Sequence, residues 1–335
     1  MRTALAAPLS WVQNFAHSSA RLLQNMREID QPRRQCLSAL VAAGVGLQLW
    51  PLLPAMAEPP RILMRAIPKS GEQLPAIGLG TWQEFDIRGN AAERSEAIDT
   101  LRTFVDAGLR VIDTSPMYGA AEAVVGELLE QVDASRRTFV ATKVWTRGAD
   151  AGRRQIDDSF RLLRRERIDL IQVHNLLDVD TQLSTLQQMK KGGRVRYVGI
   201  THYAQSAHAD LVRWIERGDI DFVQVNYSLA EPEAETSVLP AAAKHRVAVL
   251  VNRPLAQGAV LARVRGKPLP AFAAELGITT WAQFALKWIV SHPAVTCAIP
   301  GTRNPKHLLD NVAAGSGVMP DAAMRAKMAV AFRRG

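Results

Sequence analysis

The sequence predicts an α/β fold, a (β/α)8 TIM barrel carrying an N-terminal β-hairpin. Three observations lead there. Short apolar runs alternate with stretches of helical period from Leu74 onward. Gly80 and Gly301, which stand at the ends of the first and last runs, are 221 residues and seven steps apart, within the usual size of such a barrel. The runs are also apolar throughout rather than alternating, as in a parallel sheet whose outer face is covered by helices. An open doubly wound sheet is the alternative. It calls for a Gly-x-Gly-x-x-Gly turn after the first strand, and Gly78-Leu79-Gly80-Thr81 supplies only the first half.

Residues 1–57 read as a leader and 58–335 as the barrel domain. In the leader, Arg33-Arg34 precede an uncharged run from Cys36 to Ala57 that ends Ala55-Met56-Ala57. Paired arginines, a moderately apolar segment and a small-residue cleavage site match a bacterial twin-arginine export signal, so the periplasm is the expected location. The run is barely long enough to cross a bilayer, which makes an uncleaved inner-membrane anchor the alternative. Pro51, Pro54 and the small-residue site favour cleavage, after which no stable membrane insertion is expected. Met26 offers a second start, with a shorter basic region before the apolar run.

After a Pro-rich joint (Glu58-Pro59-Pro60), Ile67–Gln73 reads as a hairpin turning at Ser70-Gly71, small enough to plug the bottom of a barrel. The eight predicted strands are Leu74–Thr81, Arg110–Asp113, Thr138–Lys143, Asp169–His174, Val195–Thr201, Phe222–Tyr227, Val247–Asn252 and Val295–Pro300. Between them Ala97, Ile98, Leu101, Phe104 and Val105 share one helical face, and further helices are read over Ala121–Gln131, around Ile156, Phe160 and Leu163, and over Thr181–Lys191, closed by Gly192-Gly193. Leu211, Val212 and Ile215 mark the next, and Trp281–Ser291 and Pro305–Val312 the last two of the repeat. Leu255 to Gly277 is an excursion from the rhythm, and the tail, Asp321–Arg333, is helical rather than lid-like.

With 47% hydrophobic and 22% charged residues the chain can bury a large core and is not a disordered protein. The net charge of +9 is partly the leader's, and the remainder forms no long basic block, so no nucleic-acid partner is expected. Cys36 falls in the leader and Cys297 in a late apolar run, leaving no disulfide. No Cys-x-x-Cys or His-Glu-x-x-His spacing occurs, and no metal is expected.

Asp113, Lys143 and His174 end three successive strands, thirty and thirty-one residues apart, and Tyr118 follows Asp113 by five. In a barrel all four meet on one face. A phenol of ordinary pKa about 10 exchanges protons poorly near neutrality. A lysine beside it stabilises the phenolate, a carboxylate keeps that lysine charged and aimed, and a histidine orients what the phenol meets. The product is a general acid suited to carbonyl reduction, where oxygen gains a proton as carbon gains hydride. No side chain supplies hydride, so a nicotinamide cofactor is implied.

From about Ile67 to Asn311 the chain resembles the aldo/keto reductase superfamily. The matching stretches are Gly78-Leu-Gly-Thr-Trp82, Val111-Ile-Asp113-Thr-Ser-Pro-Met-Tyr118-Gly, Ala141-Thr-Lys143-Val-Trp145, Gln172-Val-His174-Asn, Val198-Gly-Ile-Thr201, Val223-Gln224-Val-Asn226-Tyr, and Ile299-Pro-Gly-Thr-Arg-Asn-Pro-Lys-His-Leu-Leu-Asp-Asn311. The resemblance implies a reductase using NADP(H), with NAD(H) as the other candidate, on a small carbonyl substrate. Its catalytic tetrad falls on Asp113, Tyr118, Lys143 and His174, with Tyr118 the proton donor and His174 the orienter of the carbonyl. By the same match Thr201 with His202, Gln224 and Asn226 hold the nicotinamide carboxamide. Gly80, Thr81 and Trp82 border nicotinamide and substrate, and Trp145 walls the substrate pocket. Gly301, Thr302, Arg303 and His307 face the adenosine phosphate at a helix start, and Asp310 and Asn311 the adenine.

Two departures from the family pattern stand out. Gly301 and His307 replace a lysine and an arginine that grip the 2′-phosphate, with Arg303 and Lys306 close by as substitutes. Asn252-Arg253-Pro254-Leu255 stands where an aromatic stacks on the nicotinamide, which leaves Asn252, Arg253 and Leu255 as the cofactor residues there. Competing functions are a non-catalytic nicotinamide-binding sensor or accessory subunit of a membrane protein and, far behind, a metal-dependent hydrolase, for which a His-x-His strand end is missing. The enzyme is expected to be a monomer.

Overall fold

A computed structural model of the chain describes residues 62–334. The leader, with its arginine pair and cleavage site, lies outside the described residues. Within them, β1 (Met64–Ala66) and β2 (Gln73–Pro75) form an antiparallel hairpin. Eight parallel strands follow: β3 (Leu79–Gly80), β4 (Val111–Asp113), β5 (Phe139–Val144), β6 (Ile168–His174), β7 (Val195–His202), β8 (Phe222–Asn226), β9 (Ala248–Asn252) and β10 (Cys297–Ala298). Each pairs with its neighbours in sequence. Parallel bridges from Ile77 to Ala298 and from Gly80 to Gly301 bring the last strand back to the first. Bonds from Gly78 N to Ala298 O (2.8 Å) and Gly80 N to Pro300 O (3.1 Å) stitch that seam. Glycine is needed there: a Cβ on Gly80 would stand 2.7 Å from Ile299 O.

The outer layer is α1 (Ala91–Asp106), α2 (Ala121–Gln131), α3 (Ala149–Leu162), α4 (Val179–Lys191), α5 (His208–Arg217), α6 (Val238–Lys244), α7 (Ala259–Arg263), α8 (Trp281–Val290), α9 (Pro305–Ala313) and the tail helix α10 (Ala322–Arg334). Local chemistry starts several of them. Asn90 accepts from Ala92 N and Glu93 N at the head of α1, and Asn304 caps α9 with Pro305 in its first turn. The apolar stripes of the helices close over the outward strand residues in one continuous core.

The inward residues divide by height, because side chains alternate along a strand. Phe139 and Ala141 on β5, Leu170 on β6, Phe222 on β8 and Leu250 on β9 form a second core inside the bore. Ile67 and Leu74 of the hairpin belong to the same cluster, so the hairpin does plug the bottom. At the top, the next inward positions are Asp113, Lys143, Gln172, Thr201 and Gln224, all buried and all polar.

Several boundaries differ from the sequence reading. Leu74 belongs to the hairpin, not to the first barrel strand, and Ile67–Gly71 is the turn between β1 and β2, closed by Gly71 N to Ile67 O at 2.8 Å with Gly71 at φ +79°. The apolar run is broken at Pro75, which has no N–H to continue a ladder. The excursion after Leu255 contains α7 and 3-10 turns at Ala256–Gly258 and Ala271–Leu276. The tail helix buries Met328 and Phe332 and lays Arg325 over Trp288 of α8 at 4.5 Å, so it packs on the helix layer and not as a lid. Among the described residues no helix is long and apolar enough to cross a membrane.

Candidate active site

Parallel strands deliver Asp113, Lys143 and His174 to one end of the barrel. Lys143 Nζ lies 2.5 Å from Asp113 Oδ1 and 2.8 Å from Thr114 O, with both side chains almost wholly buried. A carboxylate so deep needs more than one donor. Asp113 Oδ2 accepts from Gln224 Nε2 (2.8 Å) and Gln172 Nε2 (3.3 Å). Gln224 Oε1 in turn accepts from Thr201 Oγ1 (3.2 Å) and Asn252 Nδ2 (3.4 Å). Both ends of the Gln224 amide are therefore engaged within the protein, while the residue still lines the cavity and its Nε2 keeps a second N–H. Burial alone would lower the Lys143 pKa, but the charge and hydrogen bond of Asp113, with the nearby Tyr118 hydroxyl, outweigh it, and the lysine is held above its ordinary value.

Tyr118 is presented by a turn after β4, with Tyr118 N bonded to Ser115 O at 3.0 Å. Gly119 follows at φ +62°, beneath Asp86, whose carboxylate accepts from Ala120 N at 2.9 Å. A Cβ on Gly119 would collide with that carboxylate at 2.3 Å, which is why the tyrosine is followed by glycine. The Tyr118 ring lies 4.8 Å from Lys143 Nζ and edge-on to His174, with ring centroids 6.1 Å apart. Burial raises the phenol's pKa and Lys143 opposes it, without overcoming it. The resting tyrosine is thus neutral and holds its proton; the lysine moderates this acid and does not ionise it. His174 is pushed down to about 3 by burial and by the charge of Lys143, so its imidazole is neutral across the physiological range. Its Nδ1 lies 3.3 Å from Ser115 Oγ.

These groups form the floor of a cavity of about 710 Å³, a size suited to an extended organic ligand. Gly80, Thr81, Trp82, Asp113, Tyr118, Trp145, His174, Thr201, Gln224, Asn252, Arg253, Leu255 and Gly301 all line it; Lys143 stands behind the floor. Trp82 is 45% exposed and Trp145 38%, which makes them rim and not core. Thr81 turns its hydroxyl to Asp113 O (3.0 Å), tying the first strand end to the second. Arg253, at φ +48°, is pinned along the wall by Tyr203 O (3.2 Å) and Gln257 Oε1 (3.1 Å).

Other residues expected at the site lie outside the cavity lining. The His202 ring stacks on Tyr203, with centroids 5.4 Å apart, and its Nδ1 accepts from Ala204 N at 3.0 Å. Asn226 bonds His208 (3.0 Å) and Glu231 (2.9 Å). Thr302 Oγ1 accepts from Asn304 N in the turn before α9. Arg303 is held by Glu96 (3.1 Å), Glu93 (3.6 Å) and Glu84 O (2.9 Å), because α1 brings two carboxylates to it. Asp310 accepts from Thr280 Oγ1 (2.8 Å) and Gln283 Nε2 (2.7 Å), joining α9 to the head of α8. Asn311 is buried on the same helix and His307 is exposed. Trp214, Trp281 and Trp288 all pack in the helix layer.

Sequence reasoning missed Ser115, Asn175 and Tyr203. Asn175 and Tyr203 line the cavity and each directly follows a strand end, the signal that pointed to Trp82 and Trp145. Asn175 Oδ1 and Asn252 Oδ1 are buried without a hydrogen-bond partner among the described residues. Ser115 was visible in the polar run between Asp113 and Tyr118.

Residues 76–329 match the family model for the aldo/keto reductase family. Methylglyoxal reductase YeaE of Escherichia coli strain K12 is 28% identical over 248 residues, 72% of this chain and 85% of that protein. The NADH-specific methylglyoxal reductase of the same strain is 24% identical over 324 residues, covering 78% and 96%. Among solved structures, an aldo/keto reductase from Klebsiella pneumoniae in complex with NADP and acetate superposes with a TM-score of 0.69 at 27% identity, over 81% of this chain and 96% of that one. With a match spanning most of the barrel, the chain belongs to the aldo/keto reductase family.

Proposed function

We propose that the protein is an NAD(P)H-dependent reductase of small aldehydes and ketones, with Tyr118 as the general acid. The observation that carries this is the convergence of a neutral phenol, a buried Lys143–Asp113 pair and a neutral imidazole on one cavity floor. The cavity fits the cofactor. Buried unpartnered oxygens on Asn175 and Asn252 suit the two N–H donors of a nicotinamide carboxamide, and Gly80 and Gly301 leave their wall bare of side chains. When bound, the cofactor supplies hydride. Tyr118 gives its proton to the carbonyl oxygen, and the Lys143 ammonium steadies the phenolate left behind. Asp113, clamped by Gln172 and Gln224, keeps that ammonium in place. His174 orients the carbonyl, and Trp82 and Trp145 exclude water around it.

NADP(H) is the preferred cofactor in this reading, supported by the complex seen in the Klebsiella relative. NAD(H) is the second candidate: one relative is named NADH-specific, and Arg303 is already occupied by Glu93 and Glu96, leaving exposed Lys306 and His307 on α9 to meet a 2′-phosphate. Methylglyoxal is the first substrate to try, after the names of two relatives. Fluorescence titration with NADPH and NADH, followed by turnover of methylglyoxal and 4-nitrobenzaldehyde, tests the reading. Tyr118→Phe should retain binding and lose roughly 10²–10⁴ in kcat. Binding without turnover across carbonyls would favour the sensor or accessory-subunit reading, and absence of binding to either cofactor would sink both.

Export by the twin-arginine route is part of the same proposal, supported by Arg33-Arg34, the apolar run and the Ala55-x-Ala57 site. Cell fractionation with N-terminal sequencing checks it; an uncleaved chain in the cytoplasm would overturn it.

A further inference from the structure

We propose that Ser115 is a positioning residue that sets the tautomer of His174, putting the imidazole proton on Nε2 where it faces the carbonyl. The inference rests on the reductase reading and adds a residue to it. A hydroxyl has one proton to donate and two lone pairs to accept with. Ser115 is fully buried, and Met117 N donates to its Oγ at 3.2 Å. The other polar group within reach of that oxygen is His174 Nδ1, at 3.3 Å. Two polarities are available for this second bond. If Nδ1 were protonated and donated, the serine proton would be left buried with no acceptor among the described residues, which costs more than a hydrogen bond gains. If the serine donates, Met117 N–H, Ser115 O–H and Nδ1 are all satisfied at once.

An Nδ1 that accepts belongs to a neutral ring with its proton on Nε2. The ring is kept from taking a second proton by its burial and by the ammonium of Lys143. Nothing in the protein claims Nε2 among the described hydrogen bonds, and His174 lines the cavity beside Tyr118. Tyr118 and His174, which line the cavity side by side, then each offer a donor to a carbonyl oxygen bound between them. In the opposite tautomer a ring lone pair would face that oxygen and repel it. Ser115 touches neither substrate nor reacting atoms; it acts through the ring.

Long-range 1H–15N correlation spectra of the full chain at pH 7 read the tautomer directly, with His174→Asn used to assign the ring. The wild type should show a proton on Nε2 and a hydrogen-bonded, unprotonated Nδ1. Ser115→Ala should move the Nδ1 resonance of His174, leave the other imidazoles unshifted, and lower kcat about 2- to 10-fold at unchanged cofactor affinity, the size of one lost hydrogen bond. Ser115→Thr should restore the Nδ1 resonance. A wild-type proton on Nδ1, or an Nδ1 resonance that does not move in Ser115→Ala, overturns the proposal. Because the spectra need neither cofactor nor turnover, failure of the tautomer assignment is distinguishable from failure of the reductase reading.

Discussion

Inside the barrel, Phe139, Leu170 and Phe222 fill the lower bore, while a few residues higher on the same strands Lys143, Gln172 and Gln224 meet around Asp113. Backbone, pleat and register are common to both halves, yet the lower half gains by removing apolar rings from water and the upper half bears the cost of removing charges from it. The aromatic trio Phe139, Tyr197 and Phe222 packs at 5.5–5.9 Å between centroids and has no polar obligations above it. The upper network has an obligation at every atom. The comparison teaches that the barrel's apolar packing lies below and its polar network above, where Asp113 is satisfied by three side chains while Gln172 Oε1 and Asn252 Oδ1 stay without a partner among the described residues.

The largest test of that division is a matched pair of variants. Phe222→Ala empties the lower bore and should cost about 3–5 kcal/mol in urea unfolding. Lys143→Met leaves Asp113 buried without its cation and should cost a similar 3–5 kcal/mol or so. Turnover separates them: the lysine variant loses activity, whereas the phenylalanine variant, assayed well below its melting temperature, keeps the site's chemistry. Equal turnover in both would break the division.

An effect of comparable size, spread over several pH units, concerns His174. The folded pKa of His174, about 3, is depressed below the unfolded value of about 6.5. As pH falls below the unfolded value, the unfolded chain takes up a proton that the native chain refuses, so stability drops by roughly 1.4 kcal/mol per pH unit until the folded value is reached. Above neutrality the group contributes no slope. His174→Gln should flatten the stability profile between about pH 6.5 and 3 relative to wild type. Parallel profiles would mean that the imidazole titrates normally. Least in size is Tyr197→Phe at the bottom, where the hydroxyl reaches Ser70 Oγ and Glu72 Oε2, both at 2.9 Å. Loss of about 0.5–1.5 kcal/mol with unchanged kcat is expected.

The repeat was legible because parallel strands announce themselves as apolar runs at regular spacing, and the meeting of Asp113, Lys143 and His174 because each ends such a run. What escaped depends on partners far away in the chain. The bond of Gln224 to Asp113, 111 residues earlier, has no signature in the sequence. Arg303 reads as near the adenosine phosphate, and its ion pairs with Glu96 and Glu93 of α1 are not visible in the spacing. Asp310 is taken by the head of α8 in the same way. Periodicity tells which face a residue occupies, but not which of several suitors on that face it bonds. Leu74 was misplaced for a local reason, since an apolar run does not show that Pro75 divides it between two sheets.

The seam between β3 and β10 has a kinetic side. Gly80 and Gly301 pair across it, yet they are joined last in synthesis, and until residue 301 emerges the β3 edge has backbone groups without partners. Contacts of such sequence separation form slowly, because the closing loop is long. The same two glycines line the cavity, so closing the seam also completes the wall of the site. An incomplete chain is at once an open sheet prone to stick to others and a protein without a pocket.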